Sequence, residues 1–183
     1  AEEISGIGRY TRFLYGGGAL YYGDKAFNEG IAFADSSFFD LFDYPLIAGS
    51  HQFFHDKNSI FITDKIAIKY FGNEDPIGKL MVFTSGEDTE IELLVGGVIE
   101  KFPLNNTFSF DILMRMEHYM EMLKIRTDDW SDWRNPAAFV ELPSPENASL
   151  IRTQFSKYIP ERNKLRTDMV VEGAGSFRFL SGR

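Results

Sequence analysis

Three histidines, His51, His55 and His118, are the first side chains in this sequence whose type and spacing could support chemistry. His51 and His55 are four residues apart, a spacing that would suit two metal ligands on one face of a helix. Their segment follows Pro45 and Gly49, so a helix is not assured there, and no third ligand can be named. The pattern therefore favours solvated or capping histidines over a metal site.

Four methionines lie between Met114 and Met122, and thioether groups are ligands that select Cu(I). Met116 and Met120 fall on the apolar face of a predicted helix, however, and methionine commonly fills gaps in protein cores. The cluster therefore predicts core packing rather than a copper site.

The segment from Gly72 to Lys79 resembles a phosphate-binding loop, but three features exclude that function. Its spacing is one residue too long, Leu80 stands where Ser or Thr is needed, and Pro76 removes a backbone N–H from the would-be cradle. The segment also follows a predicted helix, whereas a phosphate loop precedes one. The triple glycine Gly16–Gly18 has no helix after it and predicts a turn, with residues 19–22 returning as a hairpin strand.

A short acidic stretch has the composition of a sugar-hydrolase site, because paired carboxylates beside aromatic rings are typical of glycosidases. It contains Asp128, Asp129 and Asp132 around Trp130 and Trp133. All five lie in one polar segment, which favours an exposed loop anchored by the two tryptophans. A carboxylate-dependent hydrolase remains an alternative, testable by loss of activity in Asp128→Asn or Asp132→Asn variants.

Nucleophilic catalysis has little support elsewhere in the sequence. There is no cysteine, no Gly-x-Ser-x-Gly motif, and no histidine near a plausible serine nucleophile. From the residues alone we therefore name no catalytic, cofactor-binding or metal-binding residues and no cofactor.

Composition describes a folded protein of 183 residues, with 44% hydrophobic and 25% charged residues. The net charge of −8 is uneven, since residues 1–100 hold 7 Lys and Arg against 16 Asp and Glu. This acidic half argues against nucleic acid as a partner and against an anionic lipid surface. No apolar run approaches the roughly 20 residues that span a bilayer. We expect an excised domain, so the absence of such a run says little about the parent protein.

The most informative stretch for the fold is Ser59–Lys79, which predicts a strand, a short helix, a turn and the start of another strand. Thr63 or Asp64 can cap the helix, Gly72 can end it in the left-handed region, and Pro76 prevents its resumption. Apolar residues of this helix lie on one face, while Lys65 and Lys69 are expected to face water.

Other segments add strands and helices in an α+β order. Residues 91–99 form the strongest predicted strand, in which Gly96 and Gly97 indicate a bulge or a close approach of another element. Asp35 or Ser36 is expected to cap a short aromatic helix, and Ser144 to begin a later one. Two successive strand–helix units after residue 107 favour a ferredoxin-like split βαβ subdomain.

We therefore predict an α+β fold of mixed sheets with short helices. It comprises that ferredoxin-like subdomain, residues 1–27 plus 99–183, and a smaller mixed α/β subdomain, residues 28–98.

Three segments, in this order and spacing, closely resemble the MacB-like periplasmic core domain of FtsX-type ABC-transporter permeases. They are residues 33–49, 59–79 and 95–114. In the first segment the matching residues are Phe38, Phe39, Phe42 and Gly49. In the second they are Thr63, Ala67, Tyr70, Phe71, Gly72, Asp75, Pro76, Ile77, Gly78 and Lys79. In the third they are Gly97, Val98, Pro103, Asn105, Phe108 and Asp111. The resemblance covers about residues 1–160, and the tail after about Lys164 is not distinctive.

This resemblance implies a non-catalytic domain outside the cytoplasmic membrane, inserted between the first and second transmembrane helices of a four-helix permease. It implies a homodimeric permease, an ABC-type ATPase partner, and a periplasmic or outer-membrane partner. It further implies that ATP hydrolysis is coupled to substrate export or movement by mechanotransmission. The alternative is a soluble extracytoplasmic ligand- or protein-binding module using exposed aromatics around Phe53, Phe54, Trp130 and Trp133.

Overall fold

Eight strands and four short α-helices form the part of the chain that the computed structural model describes, residues 4–86, 90–100, 108–125 and 136–160. The strands are β1 (Tyr10–Tyr22), β2 (Lys25–Ala34), β3 (Leu46–Gly49), β4 (Ser59–Thr63), β5 (Leu80–Thr84), β6 (Glu90–Ile99), β7 (Ile112–Arg115) and β8 (Ala137–Val140). The helices are α1 (Phe38–Leu41), α2 (Asp64–Phe71), α3 (Met116–Met122) and α4 (Asn147–Ser156), with a 3₁₀ helix at His51–His55.

Six strands close a ring of hydrogen-bonded neighbours in the order β1, β2, β7, β4, β6, β5 and back to β1. The β2–β7 and β4–β6 pairs are parallel and the other four pairs are antiparallel. Strand β8 pairs with the first residues of β1, and β3 pairs with the last residues of β6. This mixed sheet with few short helices confirms the predicted α+β class.

The main core lies inside the ring, because one face of every ring strand contributes to a single apolar cluster. Alternate residues point into it, as the two-residue period of a strand requires. The buried strand residues are Leu20, Ile31, Phe33, Ile60, Ile62, Met81, Phe83, Leu93, Val95, Val98, Ile112 and Met114. Ile66, Tyr70 and Phe71 of α2 and Met116 of α3 complete the cluster. Burying each large apolar side chain contributes about 1.5–3 kcal/mol before the entropy cost of ordering it.

A second core covers the outer faces of β2, β4 and β7 and is mainly aromatic. Phe38 of α1 lies at its centre and stacks on Tyr44, with ring centroids 5.5 Å apart. Phe13, Phe108 and Phe110 pack around Phe38 at centroid distances of 5.8–6.0 Å. The high phenylalanine content of the sequence therefore serves packing in this layer.

The predicted strand–helix–turn–strand unit is present at Ser59–Lys79 as β4, α2, a turn and the entry to β5. Asp64 Oδ1 accepts a hydrogen bond from the N–H of Lys65 at 2.8 Å. Gly72 ends α2 with φ at +65°, and its N–H donates to the carbonyl of Ile68. The helix stop inferred from Gly72 is therefore confirmed.

The paired glycines of β6 were predicted to mark a bulge or a close approach of another element, and both features are present. The β4–β6 register shifts between Ile60 and Phe61, so that Val95 and Gly97 face consecutive residues of β4 and Gly96 is the extra residue. A Cβ on Gly97 would approach Phe61 ring atoms under 3.0 Å.

The triple glycine is not a turn, contrary to the sequence prediction. Gly16–Gly18 lie within the continuous strand β1, and the β1–β2 hairpin turns at Gly23, whose φ is +54°. A Cβ on Gly18 would come under 3.0 Å from Phe83 and from the carbonyl of Thr84. Gly18 therefore allows β5 to approach β1 closely, a role of a strand glycine that resembles a turn signal in sequence.

Two predicted helix starts are also corrected. Asp35 does not cap α1: its carboxylate accepts hydrogen bonds from the backbone N–H and guanidinium of Arg12, and Ser37 precedes the helix. Helix α4 starts at Asn147, three residues after Ser144. Ser144 still accepts hydrogen bonds at this helix entry: its Oγ accepts the N–H of Glu146 at 3.4 Å, and its carbonyl accepts the N–H of Asn147 in a preceding turn.

The parallel strands β7 and β8 lie on either side of the β1–β2 hairpin, with α3 following β7 in sequence. This is a split β–α–β order. The division into subdomains of residues 28–98 and 1–27 plus 99–183 stays a prediction. Among the helices of the described residues, none has the length and apolarity needed to cross a bilayer.

Candidate interaction surface

Two of the three histidines, His51 and His118, have structural contacts. His51 Nε2 donates to the carbonyl of Tyr44 at 2.7 Å, and its ring stacks on Phe39. His55 is exposed at the end of the 3₁₀ helix. His118 is buried on α3, where Nε2 donates to the carbonyl of Lys57 at 2.7 Å. Within the described ranges no group of three or more His, Asp or Glu side chains is arranged to hold a metal ion.

The methionine cluster is distributed around α3. Met114 and Met116 are buried in the main core, as the sequence predicted. Met120 and Met122 are partly buried against that core, and Met120 Sδ accepts a hydrogen bond from Arg12. The acidic stretch with Asp128, Asp129, Asp132, Trp130 and Trp133 lies outside the described residues.

The turn from Gly72 to Lys79 is held by local hydrogen bonds. Asp75 Oδ1 accepts from the N–H of Ile77 at 3.0 Å, and the N–H of Gly78 donates to Val95 at 2.8 Å. Lys79 pairs with Glu74 at 3.2 Å. The turn therefore sets how β5 enters the sheet beside β6.

A strip of exposed apolar side chains crosses the outer surface of β1, β5 and β6. We define the apolar strip as Tyr21, Val82, Leu80, Leu94 and Phe53. Tyr21 is the cross-strand partner of Val82, and Leu80 is the cross-strand partner of Leu94. The side chains of Leu80 and Leu94 are 48% and 47% exposed, and those of Tyr21 and Phe53 are 39% and 52% exposed.

Phe53 continues the strip because its Cβ lies beside Gly96, two residues beyond Leu94 on β6. Its neighbour Phe54 is fully buried in the aromatic core, which corrects the expectation that both phenylalanines are exposed. Adjacent residues of a 3₁₀ helix are about 120° apart around its axis, so Phe53 faces away from the core when Phe54 is buried in it.

A buried cation holds the segment that carries Phe53. Arg115, at the end of β7, is only 6% exposed, and its guanidinium donates to the carbonyls of Phe54 and His55 at 2.9 and 2.8 Å. It also pairs with Glu117. These charge-assisted bonds satisfy a cation that would be costly to bury alone.

Two glutamates flank the apolar strip. Glu92 is the cross-strand partner of Val82, and Glu90 is the partner of Thr84. Both are exposed on the face of β6 that also carries Leu94, whereas Leu93 and Val95 point into the core. Neither glutamate forms an ion pair with another residue in the described ranges.

The strip was missed by sequence reasoning because residues 80–83 of β5 and residues 93–95 of β6 are apolar at consecutive positions. Such runs indicate a strand covered on both faces. The available signal was the position of Glu90 and Glu92, which share a face with Leu94 and therefore place that leucine on the solvent side.

A second feature ties helix α2 to the β1–β2 hairpin. Tyr70 Oη lies 3.1 Å from the carbonyl of Leu20 and 3.0 Å from Glu29 Oε1, which also accepts from Lys69 at 2.6 Å. Burial and the hydrogen bond to Glu29 raise the pKa of Tyr70. Lys69 lies 4.0 Å from the ring centroid of Phe27. We call these contacts the α2 clasp.

The fold is that of an α+β domain built on one mixed sheet, and similar folds occur in solved domains of permeases and transporters. The chain belongs to the MacB-like periplasmic core domain family, whose model matches residues 1–158. It is therefore a periplasmic domain of the kind carried by MacB-like, FtsX-type ABC permeases, which confirms the predicted family and extracytoplasmic location.

Solved structures that are similar to this chain include the following three. A domain of a protein described as a permease from Porphyromonas gingivalis is 26% identical, with a TM-score of 0.64, and the match covers 89% of this chain and 66% of that one. The periplasmic region of MacB from Actinobacillus actinomycetemcomitans is 15% identical, with a TM-score of 0.61 and coverages of 87% and 69%.

The extracellular domain of the noncanonic ABC-type transporter YknZ from Gram-positive bacteria is 12% identical, with a TM-score of 0.63 and coverages of 89% and 80%. At these identities the MacB and YknZ structures establish the fold alone. No curated protein matches the chain at a significant level. The chain spans just under two thirds of the P. gingivalis structure.

Proposed function

We propose that this domain transmits motion in an ABC-type permease, coupling ATP hydrolysis by a partner ATPase to movement or export of a substrate outside the membrane. The observation that carries the proposal is the family match over residues 1–158. The domain performs no chemistry in this proposal; the ATPase supplies the free energy, and the permease acts as a homodimer with a periplasmic or outer-membrane partner.

The rigidity of the described sheet supports this function. A body that transmits force must not deform locally, and the closed strand ring leaves each ring strand paired on both sides along part of its length. The half-buried Arg12–Asp35 pair, with a 2.7 Å ion pair, joins β1 to the end of β2. The α2 clasp joins a helix to the same hairpin.

Two residues shared with the family pattern, Gly49 and Asp111, have structural roles in this frame. Gly49 has a φ of +88° and lies against the backbone of Gly96 and Gly97, where a Cβ would come under 3.0 Å. Asp111 pairs with Lys65 of α2 at 2.5 Å. These contacts support a stiff structural element rather than an active site.

The genomic sequence on both sides of the chain provides the first test. The proposal predicts one membrane span immediately before Ala1, three after Arg183, and an ATPase gene or fused ATPase domain nearby. A stand-alone secreted protein with no membrane span would contradict it.

The second candidate function is a soluble extracytoplasmic binding module, which the exposure of Phe53 favours. Saturable binding of one defined small molecule by the 183-residue chain, with no neighbouring ATPase gene, would support this function over the first.

A further inference from the structure

We propose that the apolar strip is a docking surface for a partner protein whose contact face carries an apolar ridge flanked by Lys or Arg. The proposal concerns this surface only and does not rest on ATP coupling. It therefore holds or fails independently of the function proposed above.

The first argument is the contiguity of the strip. Isolated exposed apolar residues are ordinary on protein surfaces, but a connected patch on a rigid face marks an interaction site. Leu80 and Leu94 are direct cross-strand partners, and such pairs have Cβ atoms about 4.5–5.5 Å apart. Val82 lies two residues from Leu80 and opposite Tyr21, and Phe53 lies beside Gly96.

The second argument is that the surface is preorganised. Tyr21, Leu80 and Leu94 stand on paired strands, so their backbone positions are fixed by the sheet. Phe53 is held by the burial of Phe54 and by the bonds from Arg115. Binding would therefore cost little conformational entropy on this side of the interface.

The third argument is the charge of the flank. Glu90 and Glu92 are exposed beside the strip and form no ion pair with a described residue, while Lys79 is engaged by Glu74. An approaching surface with Lys or Arg at this edge would neutralise both carboxylates and gain association rate from electrostatic steering.

The same charges disfavour the other occupants of an apolar surface. An anionic membrane attracts polybasic surfaces, whereas this flank is acidic and the chain carries a net charge of −8. A second copy of the chain would bring further unpaired glutamates to the contact. A basic protein partner fits the charges best.

A peptide of seven alternating Lys and Leu residues is the probe for this surface, with the matching Glu–Leu peptide as its charge control. Binding to the 183-residue chain is measured by calorimetry at two salt concentrations, and its location by amide chemical shifts. We expect the Lys–Leu peptide to bind with shifts confined to β5, β6 and the 3₁₀ helix, and the Glu–Leu peptide not to bind.

Two variants test the apolar and acidic parts separately. Leu80→Ser with Leu94→Ser, and Glu90→Gln with Glu92→Gln, should each weaken binding by about fivefold or more. The glutamine variant should also reduce the salt dependence. The matched controls are Leu150→Ser on α4 and Glu146→Gln just before it; they alter exposed residues away from the strip and should leave affinity unchanged. Circular dichroism checks that every variant is folded.

Three outcomes would overturn the proposal. Shifts that spread over the whole surface, or an affinity insensitive to the Leu80 and Leu94 substitutions, would show nonspecific attraction to an acidic protein. Strip-dependent binding to phosphatidylglycerol vesicles would identify a membrane-facing surface. Concentration-dependent dimerisation in sedimentation, abolished by the same serine substitutions, would identify a second copy as the occupant.

Discussion

The ring of Phe61 occupies the space beside Gly97 that any larger residue at position 97 would need. The two residues are cross-strand partners on β4 and β6, and a Cβ on Gly97 would come under 3.0 Å from two ring atoms of Phe61. Because Phe61 is fully buried against Phe39 and Phe54, its ring cannot move aside without cost. This contact fixes the separation of two central strands.

Gly97→Ala should therefore lower the free energy of unfolding by about 1–3 kcal/mol through overpacking. Urea denaturation measures the change. Gly30→Ala is the matched control, because a Cβ on this strand glycine would meet no atom within 4 Å. Equal stability of the two variants would show that Phe61 does not constrain position 97.

Gly72→Ala should lower the free energy of unfolding by about 1–3 kcal/mol for a different reason, backbone strain. Gly72 has φ of +65° at the end of α2, and no atom lies within 4 Å of its Cβ position, so sterics with neighbours contribute nothing. Thermal melts compare it with Asn73→Ala, an exposed neighbour expected to be nearly neutral. A normal melt for Gly72→Ala would show the helix-stop assignment to be wrong.

Tyr70→Phe should destabilise the domain by about 1–3 kcal/mol, because it removes the hydroxyl that links α2 to Leu20 and Glu29 in a buried place. Burial and the Glu29 bond raise the pKa of Tyr70 above its ordinary value of 10.0. The stabilisation is thus present below pH 10 and lost as pH rises towards the higher folded-state pKa.

Chemical denaturation at pH 7 and pH 11 measures both effects for Tyr70. Tyr21→Phe, which changes an exposed tyrosine of the hairpin, is the control. A Tyr70→Phe variant as stable as the unmodified protein at pH 7 would contradict a structural role for the α2 clasp.

His118→Gln should reduce the acid sensitivity of the domain. Burial lowers the pKa of His118 from 6.5, although the carbonyl of Lys57 and the charges of Glu121 and Glu117 oppose the shift and the Lys57 ammonium assists it. The unfolded chain then binds more protons just below pH 6.5, so the contribution to stability is present above 6.5 and lost as pH falls towards the folded-state pKa.

Glutamine at position 118 keeps a hydrogen-bond donor for Lys57 but does not titrate. The loss of unfolding free energy between pH 7.5 and pH 5.5 should therefore be smaller in His118→Gln, and unchanged in the control His55→Gln, which alters an exposed histidine. An identical pH dependence in all three proteins would exclude His118 as the responsible group.

Local signals in the sequence were sufficient wherever chain neighbours decide the structure. The Ser59–Lys79 unit was predictable because an apolar strand, an amphipathic helix and a glycine stop each have a short-range pattern. Gly96 and Gly97 indicated the bulge for the same reason.

Contacts between residues distant in sequence could not be predicted from such local patterns. The sequence predicted a turn at Gly16–Gly18 because the reason for glycine at position 18, the close approach of Phe83, is a tertiary contact. The sequence predicted Asp35 as a helix cap because its actual partner, Arg12, lies 23 residues earlier on a neighbouring strand. The apolar strip was hidden because Leu80 and Leu94 resemble core residues until the strand register places them outside.

The central claim, that this domain moves as a body in response to ATP, is tested most directly by distances between two copies in the full-length permease. The sequence has no cysteine, so Asn28→Cys on exposed β2 gives one spin label in each domain. We predict that double electron–electron resonance shows a shift in the inter-label distance when the ATPase partner binds ATP, and reversal after hydrolysis. An unchanged distance distribution while the ATPase turns over would contradict the account.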